Sequence, residues 1–232
     1  VRLRTSTMRR AVAGVAFDID GVLVRGSSVL KGAREAVRLL QDAGIPFGVC
    51  TNGGGMLEET KAQDLSQWLD TEVLPSQVIL AHTPMRELVQ RVQPDESVLL
   101  LGQKNYYDVA RAYGLDARQI FTPVNLLKEM PELLPLGKGE ERRDVWPRPA
   151  DGLRPESIKH LWIYADPRDW LLEAQLGLDV LSGFGSSPGK QMATIANSNN
   201  DLLYAGTHHA PRLAQGAFLE TLCNLWRKSY PG

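Results

Sequence analysis

Short apolar runs alternate along the chain with longer segments in which apolar residues recur every three or four positions. Residues 31–43 show the second pattern, since Ala33, Val37 and Leu40 fall on one helical face and Gly44 follows as a helix-ending residue. Over the whole chain the pattern predicts strands at 12–17, 45–50, 97–101, 160–164 and 192–196, and helices at 31–43, 56–69, 84–92, 104–113, 167–182 and 211–230. Strands that alternate with helices through short links are typical of an α/β fold with a parallel sheet.

One stretch in the middle of the chain breaks this alternation. Residues 131–155 contain five prolines and three glycines, and they surround the charged run at 140–143. Proline and glycine at this density interrupt both helices and strands, so we predict a long exposed loop here.

The composition is that of an ordinary globular protein and excludes several classes. Lys and Arg total 26 against 27 Asp and Glu, a net charge of −1, which argues against binding nucleic acid by bulk neutralisation of phosphates. Hydrophobic residues make up 43% and charged residues 23%, so disorder of the whole chain is not expected. No apolar run approaches the roughly 18 residues of a membrane span. The only cysteines, Cys50 and Cys223, indicate neither a disulfide framework nor a Cys-based zinc site, which favours a reducing, intracellular compartment.

The first residues have a biased composition of their own. Residues 1–17 contain no acidic residue, whereas Arg2, Arg4, Arg9 and Arg10 are basic and residues 5–7 all carry hydroxyl groups. Such a composition is typical of a mitochondrial targeting segment, which we place at 1–11. The alternative is an ordinary solvated arm on a cytoplasmic protein.

Two carboxylates follow the first predicted strand. Asp18 and Asp20 stand one residue apart at its end, where ligands bind in open α/β sheets, and Gly21 permits a sharp turn after them. Two anions so close together need a cation or proton to offset their repulsion, and Mg²⁺, which takes oxygen ligands and pairs with phosphate, is the natural candidate. The alternative is that both residues only cap a turn.

A hydroxyl followed by a glycine-rich turn ends the second predicted strand. Thr51 can donate to a phosphoryl oxygen, and the backbone N–H groups of Asn52 and Gly53 and the glycines after them can approach an anion beside a helix N-terminus. Alone, this segment could equally be a flexible turn. Together with the two carboxylates it indicates a phosphate site.

The two motifs, FDIDGVL at 17–23 and VCTNGGG at 49–55, resemble the first and second motifs of the haloacid dehalogenase superfamily. The segments VILAHTPM, YADPRDWLLEAQLGLDVL and PRLAQGAFLETL are similar to subclass IIA of that superfamily, in particular to the cat eye syndrome critical region 5 type of hydrolase. The resemblance implies a Rossmann-like parallel-sheet core with an inserted α/β cap of the C2 type. We therefore predict core at 1–78, cap at 79–209 and a helix at 210–232 that returns to the core.

The resemblance also implies a chemistry. Asp18 would be the nucleophile of phosphoryl transfer, and Asp20 would first protonate the leaving oxygen and then activate water. Thr51 and Asn52 would hold the transferred phosphoryl group, with Gly53 beside them. Mg²⁺ would bind Asp18 and the main-chain carbonyl of Asp20. The substrate would be a small phosphorylated metabolite, and no nucleic-acid partner is implied.

The sequence departs from the family pattern at its end. The family's third motif is a Lys after the cap and its fourth an acidic pair on the next strand, and the sequence stops at Gly232 before either. The chemistry then lacks a positive charge and a metal ligand, so we expect this chain to be incomplete at the C-terminus of the core and weakly active or inactive. The alternative is a non-catalytic pseudo-enzyme that binds a metabolite or a protein.

A third polar segment follows the last predicted cap strand. In the subclass an Asn- and Asp-rich segment at this place comes near the substrate, so Asn197, Asn199 and Asp201 are candidate substrate contacts. A turn rich in Asn is the equal alternative. Caps of this subclass often mediate dimers, so a homodimer through the cap is expected.

Overall fold

A computed structural model describes residues 14–26, 28–103, 105–133, 153–186, 189–205 and 208–230. The predicted N-terminal segment at 1–11 and most of the predicted loop at 131–155 lie outside these described residues. The chain divides into two compact units: Val1–Gly53 with Leu57–Leu80, and Gly54–Met56 with Ala81–Gly232.

The first unit is built on a three-stranded sheet in the order β1-β4-β5, in which both strand pairs are parallel. Its elements are β1 (Val15–Phe17), β2 (Val24–Arg25), β3 (Ser28–Val29), α1 (Ala33–Asp42), β4 (Phe47–Thr51), α2 (Glu58–Leu69) and β5 (Val78–Leu80). Buried apolar side chains of both helices and the central strand form its core, among them Val37, Val49 and Leu65. The parallel order places the carboxyl ends of β1 and β4 at one edge of the sheet.

Polar contacts fasten α1 to the turn that follows α2. The guanidinium of Arg34 donates to the backbone carbonyl of Trp68, and Arg38 forms an ion pair with Asp70. Asp70 itself ends α2 in the left-handed conformation with φ of 53°. The two helices are therefore joined both through the core and at the surface.

The second unit is built on a four-stranded, fully parallel sheet in the order β7-β6-β8-β9. Its elements are α3 (Met85–Val89), β6 (Ser97–Leu101), α4 (Asn105–Ala112), β7 (Ile120–Phe121), α5 (Pro123–Glu129), β8 (Ile158–Ile163), α6 (Trp170–Leu181), β9 (Thr194–Asn197), β10 (Leu203–Tyr204), β11 (Arg212–Leu213) and α7 (Gln215–Ser229). All five residues of β6 are buried. A near-continuous apolar strand is typical of a parallel sheet covered on both faces.

The C-terminal helix differs from the prediction that it returns to the core. In the structure α7 packs with α6 and β9, and its Phe218 and Leu222 lie in the hydrophobic core of the second unit. The ring of Trp170 on α6 meets Phe218 edge-on, with ring centroids 5.6 Å apart. The physical reason is that the apolar residues on one side of α7 are buried in that hydrophobic core.

Other expectations correspond closely to the structure. The strand predicted at 97–101 has the observed bounds of β6, and it lies in a different sheet from β1. The short strands β5 and β7 and the helix α5 were not predicted, because each is too brief to show a period. No helix among the described residues has both the length and the apolar character needed to cross a membrane.

Candidate functional site

The two sequence motifs lie at the carboxyl ends of neighbouring strands in the first unit. β1 and β4 pair in parallel, with Phe17 opposite Val49, and Asp18 follows β1 directly. Thr51 is the last residue of β4. Both motifs therefore stand at the same edge of one sheet, as expected of a ligand site in an α/β fold.

A tight turn fixes the backbone that carries the two carboxylates. The carbonyl of Ile19 accepts hydrogen bonds from the N–H groups of Leu23 and Val24, both at 3.0 Å, and Gly21 donates to the carbonyl of Val24 at 2.7 Å. Gly21 has φ of 82°, a conformation that costs a glycine little. Ile19, Leu23 and Val24 are buried, and Asp18 and Asp20 are exposed. The turn thus buries its apolar residues and presents its carboxylates.

Hydrogen bonds orient the polar groups of both motifs. The carboxylate of Asp18 accepts from the backbone N–H of Ile19 at 2.8 Å. The hydroxyl oxygen of Thr51 accepts from the N–H of Gly53 at 3.0 Å. Because that oxygen is used as an acceptor, its own hydrogen remains available for a ligand oxygen. Asn52 and Gly53 are exposed beside it.

The atoms at this edge of the sheet that could bind a metal ion are oxygens. Among the described residues, no three His, Cys, Asp or Glu side chains gather into a group that could hold a metal ion. The carboxylate of Asp18 and the region of Asp20 offer the hard oxygen ligands that suit Mg²⁺, an ion that commonly keeps several waters and takes only one or two protein carboxylates. The chemistry of these oxygen ligands fits Mg²⁺.

The third polar segment follows β9 in the second unit, where a buried glutamine organises it. Gln215, the first residue of α7, is 3% exposed and donates through Nε2 to the carbonyl of Ile163 and to Oδ1 of Asn197. Ser198 Oγ lies 3.1 Å from Gln215 Oε1. The carboxyl ends of β8 and β9 are thereby joined to α7 through one side chain.

This geometry bears on the three predicted substrate contacts. The amide of Asn197 is fully engaged, because its Nδ2 donates to the carbonyl of Asn199 at 2.6 Å and to Asn200 Oδ1 at 2.9 Å. Asn199 Oδ1 accepts from the N–H of Asp201, whose carbonyl in turn accepts from Gly216. The side chain of Asn197 thus shapes the turn, whereas the exposed carboxylate of Asp201 is carried at its surface.

Two acidic residues near this edge were not found by sequence reasoning. Burial raises the pKa of Glu173 to about 7, although its carboxylate accepts from the N–H of Gly102 at 2.9 Å. Burial also raises the pKa of Asp166, opposed by hydrogen bonds from its own backbone and from that of Gln215. Both residues lie in the segment YADPRDWLLEAQLGLDVL, but its sequence does not show that either carboxyl group is buried, so only the fold reveals their state. Glu173 on α6 closes the end of β6.

The comparisons with known proteins agree with this arrangement. The family model described as haloacid dehalogenase-like hydrolase matches residues 15–116, a range that contains both motifs. A mitochondrial hydrolase of Saccharomyces cerevisiae is 31% identical over 212 residues, which are 88% of this chain and 59% of the yeast protein. Residues 15–116 therefore form a haloacid dehalogenase-like hydrolase region of the chain. The whole chain spans less than two thirds of the length of that yeast relative.

Solved structures of low sequence identity share the fold of this chain. A hypothetical protein from Pyrococcus horikoshii aligns with a TM-score of 0.66 at 18% identity, over 95% of this chain and 69% of that one. A glycerol phosphate phosphatase from Mycobacterium tuberculosis, solved in complex with magnesium, aligns with a TM-score of 0.58 at 14% identity, over 92% of this chain and 51% of that one. The predicted mixed α/β fold with parallel sheets is confirmed.

Proposed function

We propose that this haloacid dehalogenase-like chain carries the nucleophile and phosphate-binding elements of a Mg²⁺-dependent phosphatase for small phosphorylated metabolites. The observation that carries the proposal is the placement of Asp18 and Thr51 at the carboxyl ends of paired parallel strands, on a turn that keeps Asp18 and Asp20 exposed. A carboxylate nucleophile, a second carboxylate and a hydroxyl donor are the groups that transfer through an aspartyl-phosphate needs.

The proposed reaction has two steps. A carboxylate oxygen of Asp18 attacks phosphorus, the bond from phosphorus to the leaving oxygen breaks, and the acid form of Asp20 gives that oxygen a proton. Water then attacks the phosphorus of the aspartyl-phosphate, Asp20 takes a proton from the water, and inorganic phosphate leaves with the Asp18 carboxylate regenerated. Throughout, the Thr51 hydroxyl and the N–H of Asn52 hold non-bridging oxygens.

The metal and the supporting groups are part of the proposal. Mg²⁺ held by the Asp18 carboxylate and the main-chain carbonyl of Asp20 would supply positive charge against the phosphate. With so few protein ligands it should bind weakly, and we propose that the 232-residue chain on its own is only weakly active. The glycerol phosphate phosphatase of similar fold was solved with magnesium, which supports the choice of ion.

Substrate selection, location and assembly complete the proposal. We propose the second unit as a C2-type cap in which Asn199 and Asp201 contact substrate, together with Asn197 as the residue that holds their turn. The name of the yeast relative supports a mitochondrial location. A homodimer formed through the cap is proposed from the family resemblance.

The test compares the 232-residue chain with Asp18→Asn, Asp20→Asn and a matched control, Asp42→Asn. Asp42 is an exposed carboxylate at the end of α1, which leads into the opposite, amino end of β4. We expect slow Mg²⁺-dependent hydrolysis of p-nitrophenyl phosphate and Mg²⁺-dependent binding of orthovanadate measured by calorimetry. Asp18→Asn should lower turnover at least about 100-fold and abolish vanadate binding, whereas Asp42→Asn should change neither.

Two results would overturn the proposal. Turnover that persists in Asp18→Asn would mean that another residue is the nucleophile. A folded chain with neither turnover nor vanadate binding would favour the alternative, a non-catalytic binding protein of the same fold.

A further inference from the structure

Three residues that follow the phosphate-site motif, Gly54–Met56, belong to the second unit although the chain on both sides of them belongs to the first. They are continuous with Thr51, Asn52 and Gly53. Whatever fixes the path of Gly54–Met56 therefore also constrains the end of the proposed phosphate-binding turn, because only one peptide bond separates the two segments.

A buried histidine holds the last of these three residues. His82 is fully buried, and its Nε2 lies 3.1 Å from the carbonyl oxygen of Met56. A carbonyl can only accept, so Nε2 carries the hydrogen of this bond. Nδ1 lies 2.9 Å from the hydroxyl of Tyr113, and the rings of Tyr106 and Tyr164 lie against the imidazole at centroid distances of 5.4 and 6.1 Å. The ring is thus fixed on both nitrogens and on its sides.

Two neighbouring residues of α4 hold the middle of the segment. Asn105 donates through Nδ2 to the carbonyl of Gly55 at 2.5 Å, and the backbone of Gly55 is hydrogen-bonded to the hydroxyl of Tyr106. Both polar groups of the Gly55 backbone are therefore engaged by side chains of the second unit. Burial raises the pKa of Tyr106 to about 12, so its hydroxyl stays neutral at physiological pH.

Gly54 and Gly55 fit closely against His82, Asn105 and Tyr106 because they lack a side chain. A Cβ added at Gly54 would lie 2.7 Å from the Tyr106 hydroxyl and 3.0 Å from His82 Cδ2. At Gly55, which has φ of 86°, it would lie 2.8 Å from Asn105 Nδ2. A Cβ at either position would force the Tyr106 hydroxyl or the Asn105 amide to move, so the close approach favours glycine at both positions.

We propose that His82, Asn105 and Tyr106 are positioning residues that anchor Gly54–Met56 to the second unit and thereby set the conformation of the phosphate-binding turn Thr51–Gly53. The proposal rests on the proposed function for the meaning of that turn. The predicted consequence is that loosening the anchor weakens oxyanion binding without removing any group that touches the oxyanion.

The central test uses Asn105→Asp in the 232-residue chain. The substitution keeps the shape of the side chain but replaces the N–H donor with an oxygen that faces the Gly55 carbonyl. We expect amide hydrogen exchange at residues 51–56 to become at least about tenfold faster, and Mg²⁺-dependent orthovanadate affinity to fall about tenfold. Exchange in β6 and β8 should stay unchanged, since neither strand contains a substituted residue.

Further variants separate positioning from general stability. His82→Gln retains an N–H donor at the place of Nε2 and should preserve slow exchange at 51–56 better than His82→Leu, which has none. Leu222→Ala removes apolar contacts in the core of the second unit, far along the chain from the anchor, and should lower the melting temperature without faster exchange at 51–56.

The outcomes distinguish this inference from the proposed function. Unchanged exchange at 51–56 in Asn105→Asp overturns the anchor, as does equally fast exchange in Leu222→Ala at a temperature where both remain folded. Exchange is measured without ligand, so it judges the anchor even if the wild-type chain binds no vanadate, a result that would count against the phosphatase proposal alone.

Discussion

The two parallel sheets of this chain treat their carboxyl edges in opposite ways. In the second unit the edge is closed by internal bonds, with Gln215 joining the ends of β8 and β9 and Glu173 bound to the N–H of Gly102. In the first unit the edge presents Asp18 and Asp20 to solvent on a tight turn. The two sheets therefore differ in how their strand ends are held: hydrogen bonds of buried side chains join the strand ends in the second unit, whereas exposed carboxylates follow the strand end in the first.

The strands that lead to these two edges also differ in how deeply they are buried. Every residue of β6 is buried, whereas no residue of β1 is. The strand that carries the proposed nucleophile is thus the less enclosed one. This contrast predicts that substitutions cost most stability in the buried sheet of the second unit, and less in the sheet that carries the proposed nucleophile.

The largest effect on stability should come from the core of the second unit. Leu161 on β8 is fully buried within the main hydrophobic cluster. Leu161→Ala should lower the free energy of unfolding by about 3–5 kcal/mol, since it removes apolar contacts and leaves a cavity. Chemical denaturation measures the loss, with exposed Leu39→Ala on α1 as the control that should cost less than about 0.5 kcal/mol. Equal losses in the two variants would contradict the description of this core.

A smaller effect should appear as pH dependence at the closed edge. The pKa of Glu173 is raised to about 7 from its ordinary 4.5, chiefly because burial disfavours the charged form. Between these two values the folded state binds more protons than the unfolded state, so stability falls as the pH rises from 4.5 to 7 and stays reduced above. The loss is at most about 3 kcal/mol at 1.36 kcal/mol for each pKa unit.

Glu173→Gln tests this dependence because glutamine cannot ionise and can still accept from Gly102 through its amide oxygen. Its melting temperature should exceed that of the wild type at pH 8 and lose that advantage at pH 4.5. Glu156→Gln, at an exposed position of the same unit, should follow the wild-type curve. If the melting temperatures of Glu173→Gln and the wild type changed with pH in the same way, Glu173 would not titrate in this range.

The smallest effect should come from the surface of the first unit. Arg38 and Asp70 form an ion pair at 2.6 Å, but their side chains are 55% and 73% exposed. Water and salt screen such pairs, so Arg38→Gln should cost less than about 1 kcal/mol, and less still in 0.5 M salt. Thermal melts at two salt concentrations measure this, and a loss comparable to that of Leu161→Ala would reverse the order proposed for the two units.

The sequence predicts those parts of the molecule in which local pattern and local chemistry coincide. Strand β6 is apolar except for Ser97, which makes it easy to predict. The DIDG and TNGGG motifs follow strands that pair in parallel, so their common edge of the sheet could also be predicted. The sheet against which α7 packs could not be predicted, because the apolar side of a helix does not specify which sheet the helix covers. His82, Gln215 and Glu173 were missed for a related reason: each acts through partners between 18 and 71 residues away along the chain.

Because Gly54–Met56 belongs to the second unit, the two units cannot be separated by a single cut in the chain. The backbone passes from one unit to the other three times, after Gly53, Met56 and Leu80, so a cut at the last passage does not release an intact module. A fragment that starts at Ala81 would contain His82 and Asn105 without the carbonyls of Met56 and Gly55 that they bind. A recombinant second unit should therefore be made with residues 54–56 grafted back through a linker.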